Sequence, residues 1–360
     1  MKLNHQAPII VTGDTGFIGQ GVVARLAGRY PIVGFNRGGD AQPGTEAEPV
    51  DMASDEAVAD GVRAVRERYG DRIASVIHLA AYYDFSGEPS DKYEQITVRG
   101  TERLLRALRG CEVEQFVFSS TMLVHAPCEP GQRIDEEWPL DPKWEYPQSK
   151  LETERLILRE RGDISTVLLR ISGVYDDECD SIPIAHQIQR IFEKQITSRV
   201  YPGDTDRGQS FMHRDDLVDA VGRVVQRRGD LPAETTLLLG EADPVSYGEL
   251  QRTLGRLIHD EEWETQEIPK VMAKAGAWLQ DAAPIEEPFI KPWMVDLADD
   301  HYALDLARAR DLLAWQPRRS LAATLPRMVE SLKRDPDRFY HENELGDVPD
   351  DARRELAGLR

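Results

Sequence analysis

Cysteine is scarce in this sequence. The chain has only Cys111, Cys128 and Cys179, and their wide spacing matches neither the paired motifs of a zinc site nor a disulfide framework. We therefore expect unpaired thiols in a reducing cytoplasm and no metal site.

Long apolar runs and a leader segment are absent as well. No apolar run approaches the ~20 residues that a membrane-spanning helix needs. The first predicted strand begins at Ile9, without the basic and apolar regions of a signal peptide. These absences predict a protein with no membrane partner and a cytoplasmic location.

Basic residues are fewer than acidic residues. The 360 residues contain 44 Lys and Arg against 64 Asp and Glu, which gives a net charge of −20 and a pI near 4.9. Such a surface repels nucleic acids and anionic membranes. A small-molecule substrate remains open, because local charge decides its binding. The length suits one large or two modest domains.

A glycine-rich turn near the N-terminus is the first positive signal. The apolar run at residues 9–11 is followed by Gly13, Gly16 and Gly19 and then by a helical pattern. This order predicts a buried strand, a tight turn and the start of a helix. Glycines there let a pyrophosphate approach the amides at a helix N-terminus, so the turn predicts a dinucleotide site.

Apolar strands alternate with helical segments as far as Tyr175. This alternation predicts an α/β fold, a doubly wound parallel sheet of the Rossmann type, because parallel strands need helical crossovers. The predicted strands after the first are Pro31–Phe35, Ser75–Ala81, Phe116–Thr121 and Thr166–Arg170.

Regularity weakens after Tyr175, which indicates a second unit. We expect residues 1–175 with about 208–240 to form the dinucleotide-binding domain. About 176–207 with 241–334 would form a smaller, mainly C-terminal α/β substrate domain, followed by a charged tail at 335–360. Within the second unit, Lys270–Leu279 has a helical apolar stripe, and Pro284–Trp293 is predicted to be a proline-rich loop.

Tyr146 and Lys150 form the second informative pattern. They lie four residues apart at a predicted helix start and therefore share a helix face. A tyrosine base near neutral pH needs its pKa lowered by about 3, which costs about 4 kcal/mol, and an adjacent ammonium acts in that direction. Ser119-Ser120-Thr121 ends a strand upstream, where ligands of parallel sheets gather. A hydroxyl there could join the tyrosine in binding a carbonyl or alcohol.

Taken in order, these motifs resemble the extended short-chain dehydrogenase/reductases, the epimerase/dehydratase-like group. The matching segments cover roughly two-thirds of the chain. They are residues 12–19, Asp51-Met52, 78–81, 98–101, 119–121, 146–150, 169–175 and 211–216.

The resemblance implies a role for each matching position. Thr121 takes the place of the family's catalytic Ser/Thr, Tyr146 that of the acid/base, and Lys150 that of the residue that binds the nicotinamide ribose and lowers the tyrosine pKa. The implied cofactor-binding residues are Gly13, Thr15, Gly16, Phe17, Ile18 and Gly19 in the turn, Asn36, Arg37, Asp51 and Met52 toward the adenosine, and Leu79, Ala80, Ala81, Ser119, Tyr146, Lys150 and Ile171 along the strand ends.

The end of the second strand bears on the choice of cofactor. Asn36-Arg37 stands where a carboxylate usually binds a ribose 2′-hydroxyl. A guanidinium can bind a 2′-phosphate through charge-assisted hydrogen bonds, so we expect NADP(H). NAD(H) is not excluded, since Asp40 could still serve a ribose.

Departures from the family pattern narrow the substrate. Met122-Leu123 cannot transfer protons, unlike the Asp-Glu pair of dehydratases. Gln209 and Gly173 replace an arginine and an asparagine of many nucleotide-sugar enzymes, although Arg207 or Arg190 could substitute. The candidate substrate residues are Tyr82, Tyr83, Asp84 and His125.

Three functions follow, in order. The first is an NAD(P)-dependent oxidoreductase that transfers hydride between the nicotinamide and a secondary alcohol or ketone. The second is a sugar or nucleotide-sugar epimerase with tightly bound cofactor. The third is a non-catalytic NAD(P)-binding regulator, which the presence of both Tyr146 and Lys150 disfavours. The resemblance also implies a homodimer.

Overall fold

Strands and helices alternate along the computed structural model, which describes residues 7–84, 89–273, 292–350 and 352–354. The strands are β1 (Ile9–Thr12), β2 (Ile32–Asn36), β3 (Glu46–Pro49), β4 (Arg72–Ile73), β5 (Ser75–His78), β6 (Glu112–Val113), β7 (Gln115–Thr121), β8 (Ser165–Ile171), β9 (Gly173–Tyr175), β10 (Val200–Tyr201), β11 (Gly208–Gln209), β12 (Phe211–His213), β13 (Glu234–Leu239), β14 (Val245–Ser246) and β15 (Gln266–Glu267). The helices are α1 (Phe17–Leu26), α2 (Asp55–Tyr69), α3 (Arg99–Ala107), α4 (Glu145–Glu160), α5 (Ile182–Phe192), α6 (Arg214–Gln226), α7 (Tyr247–His259), α8 (Pro292–Asp296), α9 (Ala307–Leu313), α10 (Leu321–Arg334) and α11 (Pro336–Glu342).

The central sheet has seven parallel strands within these residues, in the order β13-β8-β7-β5-β1-β2-β3. Its inner strands are buried along their whole length, because helices cover both faces, and this is why they form continuous apolar runs in the sequence. The register aligns Thr12 with His78, and Thr121 with Ile171, so that these strands end at one edge. The predicted doubly wound fold is confirmed.

The two faces of the sheet have separate cores. Ile9 and Val11 point into one core with α1, α6 and α9. Ile10 points into the other, with α2, α3 and α4, because successive side chains of a strand alternate between faces.

A third core lies outside the sheet and is built from α5, α7, α10 and α11. Phe339 and Tyr340 of α11 are buried in it, and the Tyr340 hydroxyl donates to Glu193 Oε1 at 2.8 Å. The expected charged tail at 335–360 is therefore not a tail in its described part. The two adjacent aromatic rings supply enough apolar surface to hold this acidic segment against the core.

Some boundaries differ from the sequence expectation. Helix α4 begins at Glu145, before Pro147, and a π-helical turn at Tyr93–Val98 precedes α3. Strand β3 is the edge strand of the central sheet and pairs with β2. The predicted helix Lys270–Leu279 beyond Ala273, and the predicted loop up to Lys291, lie outside the described residues.

The remaining expectations concern membrane-spanning helices, metal sites and cysteines. No described helix is long and apolar enough to cross a membrane. The described His, Cys, Asp and Glu side chains include no group that could hold a metal ion. The three cysteines are free thiols.

Candidate active site

The glycine turn joins β1 to α1 at the carboxyl edge of the sheet. Gly13 has φ +69°, and a Cβ there would lie 3.1 Å from the Ala80 amide nitrogen. A Cβ on Gly19 would lie 2.2 Å from the Gly13 carbonyl oxygen. Both positions therefore require glycine. Gly16 is exposed, and a Cβ on it would meet only that same carbonyl oxygen, at 3.4 Å, so the turn stays open on its outer side.

The N-terminus of α1 is suited to an anion. Its N-cap is Gly16, with no side-chain cap and no acidic residue in the first turn. The first amides of a helix lack intrahelical partners, and its dipole favours negative charge there. Thr15 is exposed next to this end, and Phe17 and Ile18 are partly buried. The open turn and the uncapped helix together fit the pyrophosphate of a dinucleotide.

A buried histidine fixes the neighbouring strand end. The Thr101 hydroxyl donates to a backbone carbonyl, so its 2.9 Å contact with His78 Nε2 requires a proton on that nitrogen. The Thr12 hydroxyl then donates to His78 Nδ1 at 2.7 Å and accepts the amides of Leu79 and Ala80. Burial lowers the pKa of His78 to about 3, so the ring stays neutral and holds residues 79 and 80 against the glycine turn.

Asn36 ends β2 but does not point outward. Its amide donates to Asp14 Oδ1 at 3.0 Å and to the Asp40 carbonyl oxygen at 3.1 Å, and its oxygen accepts the Asp40 amide. Arg37, the next residue, is exposed. It forms no ion pair with any residue in the described segments, so its guanidinium is available to a ligand.

The other expected cofactor contacts lie around the same edge. Asp51 is exposed and accepts the Ala53 amide at 2.9 Å, whereas Met52 is buried. Ala81 is half-buried, and Ile171 at the end of β8 is 7% exposed. The structure places these residues at strand ends or just beyond them.

Tyr146 and Lys150 lie on one face of α4, which packs against β7. Lys150 Nζ lies 5.7 Å from the centre of the Tyr146 ring and donates to the Ser119 carbonyl oxygen at 2.7 Å. Ser119 itself donates through Oγ to the His78 carbonyl oxygen. Thr121 ends β7, and its hydroxyl oxygen accepts the Leu123 amide at 3.3 Å. The three residues expected to be catalytic thus come from adjacent elements.

Burial shifts the pKa values of this pair in opposite directions. It raises the pKa of Tyr146, because the phenolate is the charged form. It lowers the pKa of Lys150 to about 7, with the Glu154 carboxylate acting against that change. Lys150 has two further N–H groups beyond the one bonded to Ser119, and these can bind ribose hydroxyls.

The low pKa of Lys150 predicts a pH dependence of stability. A lysine has a pKa near 10.4 when unfolded, so between about pH 7 and 10 the unfolded chain binds more protons at this residue. The free energy of unfolding therefore gains up to about 1.4 kcal/mol per pH unit from Lys150 as pH rises. When urea unfolding is measured from pH 7 to 9, the free energy of unfolding should rise less steeply with pH for Lys150→Met than for the unaltered protein. The exposed Lys92→Met is the control, and identical slopes for all three proteins would contradict the prediction.

The sequence reasoning missed a buried ionic cluster behind this site. Glu154 Oε2 accepts Arg170 at 2.7 Å, with side chains 3% and 8% exposed, and Ser120 donates to Glu154 Oε1 at 2.5 Å. Glu154 lies four residues after Lys150 on α4, so helical periodicity places it on the Lys150 face. Its pairing with a residue of β8 could not be read from that spacing.

His125 is a correction to the expected substrate residues. Its ring is completely buried; Nδ1 contacts the Trp138 carbonyl oxygen at 3.0 Å, and Nε2 accepts Arg170 at 3.0 Å. Burial and the Arg170 charge lower its pKa to about 4. The ring belongs to the ionic cluster because it satisfies a guanidinium N–H that would otherwise be buried without a partner.

The other expected substrate residues lie near Tyr146. The Tyr83 ring contacts the Tyr146 ring edge-on at 4.9 Å and is 46% exposed. Tyr82 donates to Asp84 Oδ2 at 3.0 Å and packs on Tyr93. Tyr83 therefore contacts the candidate acid/base directly.

A large cleft opens beside the Tyr146 face, between the sheet and the third core. It encloses about 1410 Å³, including space open to solvent. Trp144 lies 5.5 Å from the Tyr146 ring and stacks on Trp293 at 4.9 Å, and Leu123 follows Thr121. The cleft is mainly apolar and aromatic, with Leu123, Trp144, Tyr201, Phe211, Tyr247 and Trp293 among its lining residues.

Gly173 packs against the ring of Phe211, which lines the cleft. A Cβ at this position would lie 2.7 Å from the Phe211 ring, so the asparagine of many nucleotide-sugar enzymes would collide with that ring. Gln209 lines the cleft where those enzymes have an arginine.

The profile of the NAD dependent epimerase/dehydratase family matches residues 9–240. The chain belongs to this family. It is accordingly an NAD(P)-dependent enzyme of the extended short-chain dehydrogenase/reductase type, as the ordered motifs predicted.

Two of the proteins to which the chain is similar have different named activities. The chain is 29% identical over 287 residues to a UDP-glucose 4-epimerase of Streptomyces lividans, covering 73% of this chain and 83% of that protein. It is 25% identical over 333 residues to a 3 beta-hydroxysteroid dehydrogenase/Delta 5→4-isomerase of Mycobacterium tuberculosis, covering 86% of each. The crystal structure of a Thermus thermophilus UDP-glucose 4-epimerase with NAD superposes with a TM-score of 0.67 at 20% identity, over 91% of this chain and 99% of that one. That structure supports the fold.

Proposed function

We propose that this enzyme is an NADP(H)-linked oxidoreductase that interconverts a secondary alcohol and a ketone on a bulky, largely apolar substrate. The observation that carries the proposal is the placement of Tyr146 beside an aromatic cleft. The Trp144 ring lies 5.5 Å from it and lines that cleft. A substrate held there would present its oxygen to the Tyr146 and Thr121 hydroxyls.

The cofactor would be held by the glycine turn and the N-terminus of α1 at its pyrophosphate, and by the free N–H groups of Lys150 at its ribose. When bound, the nicotinamide supplies or accepts the hydride. Tyr146 donates its proton to the carbonyl oxygen during reduction, and Thr121 donates a hydrogen bond to the same oxygen. Burial keeps Tyr146 protonated, which is the form this direction needs.

The apolar substrate is supported by two further observations. Gln209 and Gly173 replace an arginine and an asparagine with which many family members would bind a nucleotide sugar, and the Phe211 ring fills the space beside Gly173. The mycobacterial relative, which covers 86% of this chain, is by name a dehydrogenase of a hydroxysteroid, a bulky apolar alcohol.

An activity assay tests the proposal directly. The purified protein is incubated with NADPH and a panel of cyclic ketones of increasing size, and nicotinamide absorbance is followed together with alcohol formation. We expect turnover that improves with the apolar size of the ketone. Absence of turnover across the panel, combined with interconversion of UDP-glucose and UDP-galactose, would contradict the proposal.

Arg37 tests the preference for NADP(H). Replacing Arg37 with serine removes the charged partner of a 2′-phosphate, and hydrogen bonds to charged groups contribute about 1.5–3 kcal/mol. We expect the KM for NADPH to rise about tenfold or more, with the KM for NADH unchanged. The exposed Arg29→Ser is the matched control. A clear preference of the unaltered enzyme for NADH would refute the role of Arg37.

Epimerisation is the second candidate, favoured by the likeness to the Streptomyces epimerase. In that reaction Tyr146 removes the proton of the alcohol and later returns it, and no nicotinamide is consumed. Net oxidation of added NADPH therefore separates the two functions.

A homodimer and a cytoplasmic location complete the proposal. The free thiols support a reducing compartment. Sedimentation velocity of the purified protein measures the oligomeric state.

A further inference from the structure

One cation in the aromatic cleft has no counter-ion among the described residues. Arg190 lies on α5, and only 9% of it is exposed. Its one side-chain hydrogen bond within the described segments runs from a terminal nitrogen to Gln187 Oε1, and its buried Nε has no partner. A guanidinium stays charged at all ordinary pH values, so this charge is buried and uncompensated.

The neighbours of Arg190 do not remove the charge. Burial and the guanidinium itself lower the pKa of His186 to about 4, so that ring adds no second cation near neutral pH. Asp300 lines the same cleft, but no ion pair joins it to Arg190 in the described part of the chain, and burial raises its pKa. Arg207, the other guanidinium of the cleft, is already paired with Glu129 at 2.8 Å.

An unpaired buried charge is strongly destabilising unless something compensates it. The cleft offers the space for such a partner, because Arg190 lines it together with Trp144. The cleft is therefore bounded on one side by Trp144, which lies beside Tyr146, and on another by the unpaired Arg190.

We propose that Arg190 binds an oxyanion carried by the substrate, a carboxylate or a phosphate group, while the aromatic wall holds the apolar body. The inference rests on the proposed function, since it names the kind of substrate that the same cleft accepts. The substrate class is then an amphipathic one, with a secondary alcohol or ketone toward Tyr146 and an anionic group at Arg190.

Binding measurements without cofactor test this site independently of turnover. Deoxycholate has ring hydroxyls, an apolar ring system and a side-chain carboxylate, and its methyl ester lacks only the charge. UDP and inorganic phosphate test the phosphate source. Calorimetry compares the unaltered protein with Arg190→Met, which keeps much of the side-chain shape, and with Arg190→Lys, which keeps the charge without the fork. Arg256→Met is the control, because Arg256 is exposed and paired with Glu262.

We expect Arg190→Met to weaken binding of deoxycholate or of UDP about tenfold or more, while binding of the methyl ester stays unchanged. If Arg190→Met loses affinity for deoxycholate alone, the anionic group of the substrate is a carboxylate. If it loses affinity for UDP or phosphate alone, that group is a phosphate. Arg190→Lys should retain part of the binding. The melting temperature of unliganded Arg190→Met should not fall, because a buried unpaired charge is removed.

Equal binding of both anions to the unaltered protein and to Arg190→Met would overturn the proposal, as would failure of the unaltered protein to bind either one. Neither result bears on the oxidoreductase assay with neutral ketones. Conversely, an inactive enzyme that still binds deoxycholate through Arg190 would refute the proposed reaction and leave the anion site standing.

Discussion

Replacing Tyr146 with phenylalanine is expected to lower kcat by about a thousandfold or more. The substitution keeps the aromatic ring that packs against Tyr83 and Trp144 and removes only the hydroxyl. General acid–base catalysis contributes about 10²–10⁴-fold, and the hydroxyl also orients the substrate oxygen.

The readouts separate a chemical role from a structural one. NADPH binding, followed by fluorescence, should be retained in Tyr146→Phe, because the glycine turn and Lys150 remain. Tyr69→Phe is the control; its hydroxyl bonds Glu46 at the surface, away from the site. Turnover of Tyr146→Phe within a few-fold of the unaltered enzyme would remove Tyr146 from the proposed mechanism.

Breaking the buried Glu154–Arg170 pair is expected to lower the free energy of unfolding more than any other substitution proposed for this protein. In Glu154→Gln the Arg170 guanidinium keeps its charge and loses its carboxylate, inside a site where both side chains are almost fully buried. Removing one partner of such a pair costs about 3–5 kcal/mol. Urea denaturation should show a loss of this size in the free energy of unfolding.

Two comparisons make this prediction specific. The exposed pair Arg338–Glu342 joins residues four apart on α11, and Glu342→Gln should cost less than about 1 kcal/mol. The double variant Glu154→Leu/Arg170→Met should recover much of the loss, since a buried pair replaced by apolar residues is often neutral. A loss in Glu154→Gln no larger than that of Glu342→Gln would show that the cluster does not stabilise the fold.

The same variant connects stability to the site. Glu154 opposes the lowering of the Lys150 pKa, so Glu154→Gln should lower that pKa further. The rise in the free energy of unfolding with pH that we attribute to Lys150 would then start at a lower pH. That starting pH would stay the same if Glu154 acted only through packing.

Much of the fold and the Tyr146–Lys150 part of the candidate site could be predicted from the sequence, because their signals are local. The glycine turn at 13–19, the apolar strands and the spacing of Tyr146 and Lys150 each depend on residues close together in the chain. Turn sterics and helical or strand periodicity act over a few residues, so these patterns indicate elements, a parallel sheet and a shared helix face without tertiary information.

Tertiary structure alone decided how distant segments meet. His125 faces Arg170 and not a substrate, because β7 and β8 are neighbours in the sheet. The aromatic cleft joins Trp144, Phe211 and Trp293 from separate elements, and Phe339 carries an acidic segment into a core. Burial and charge pairing depend on what lies across the interface. For that reason the unpaired Arg190 and the ionic cluster under Lys150 emerge only once the elements are packed.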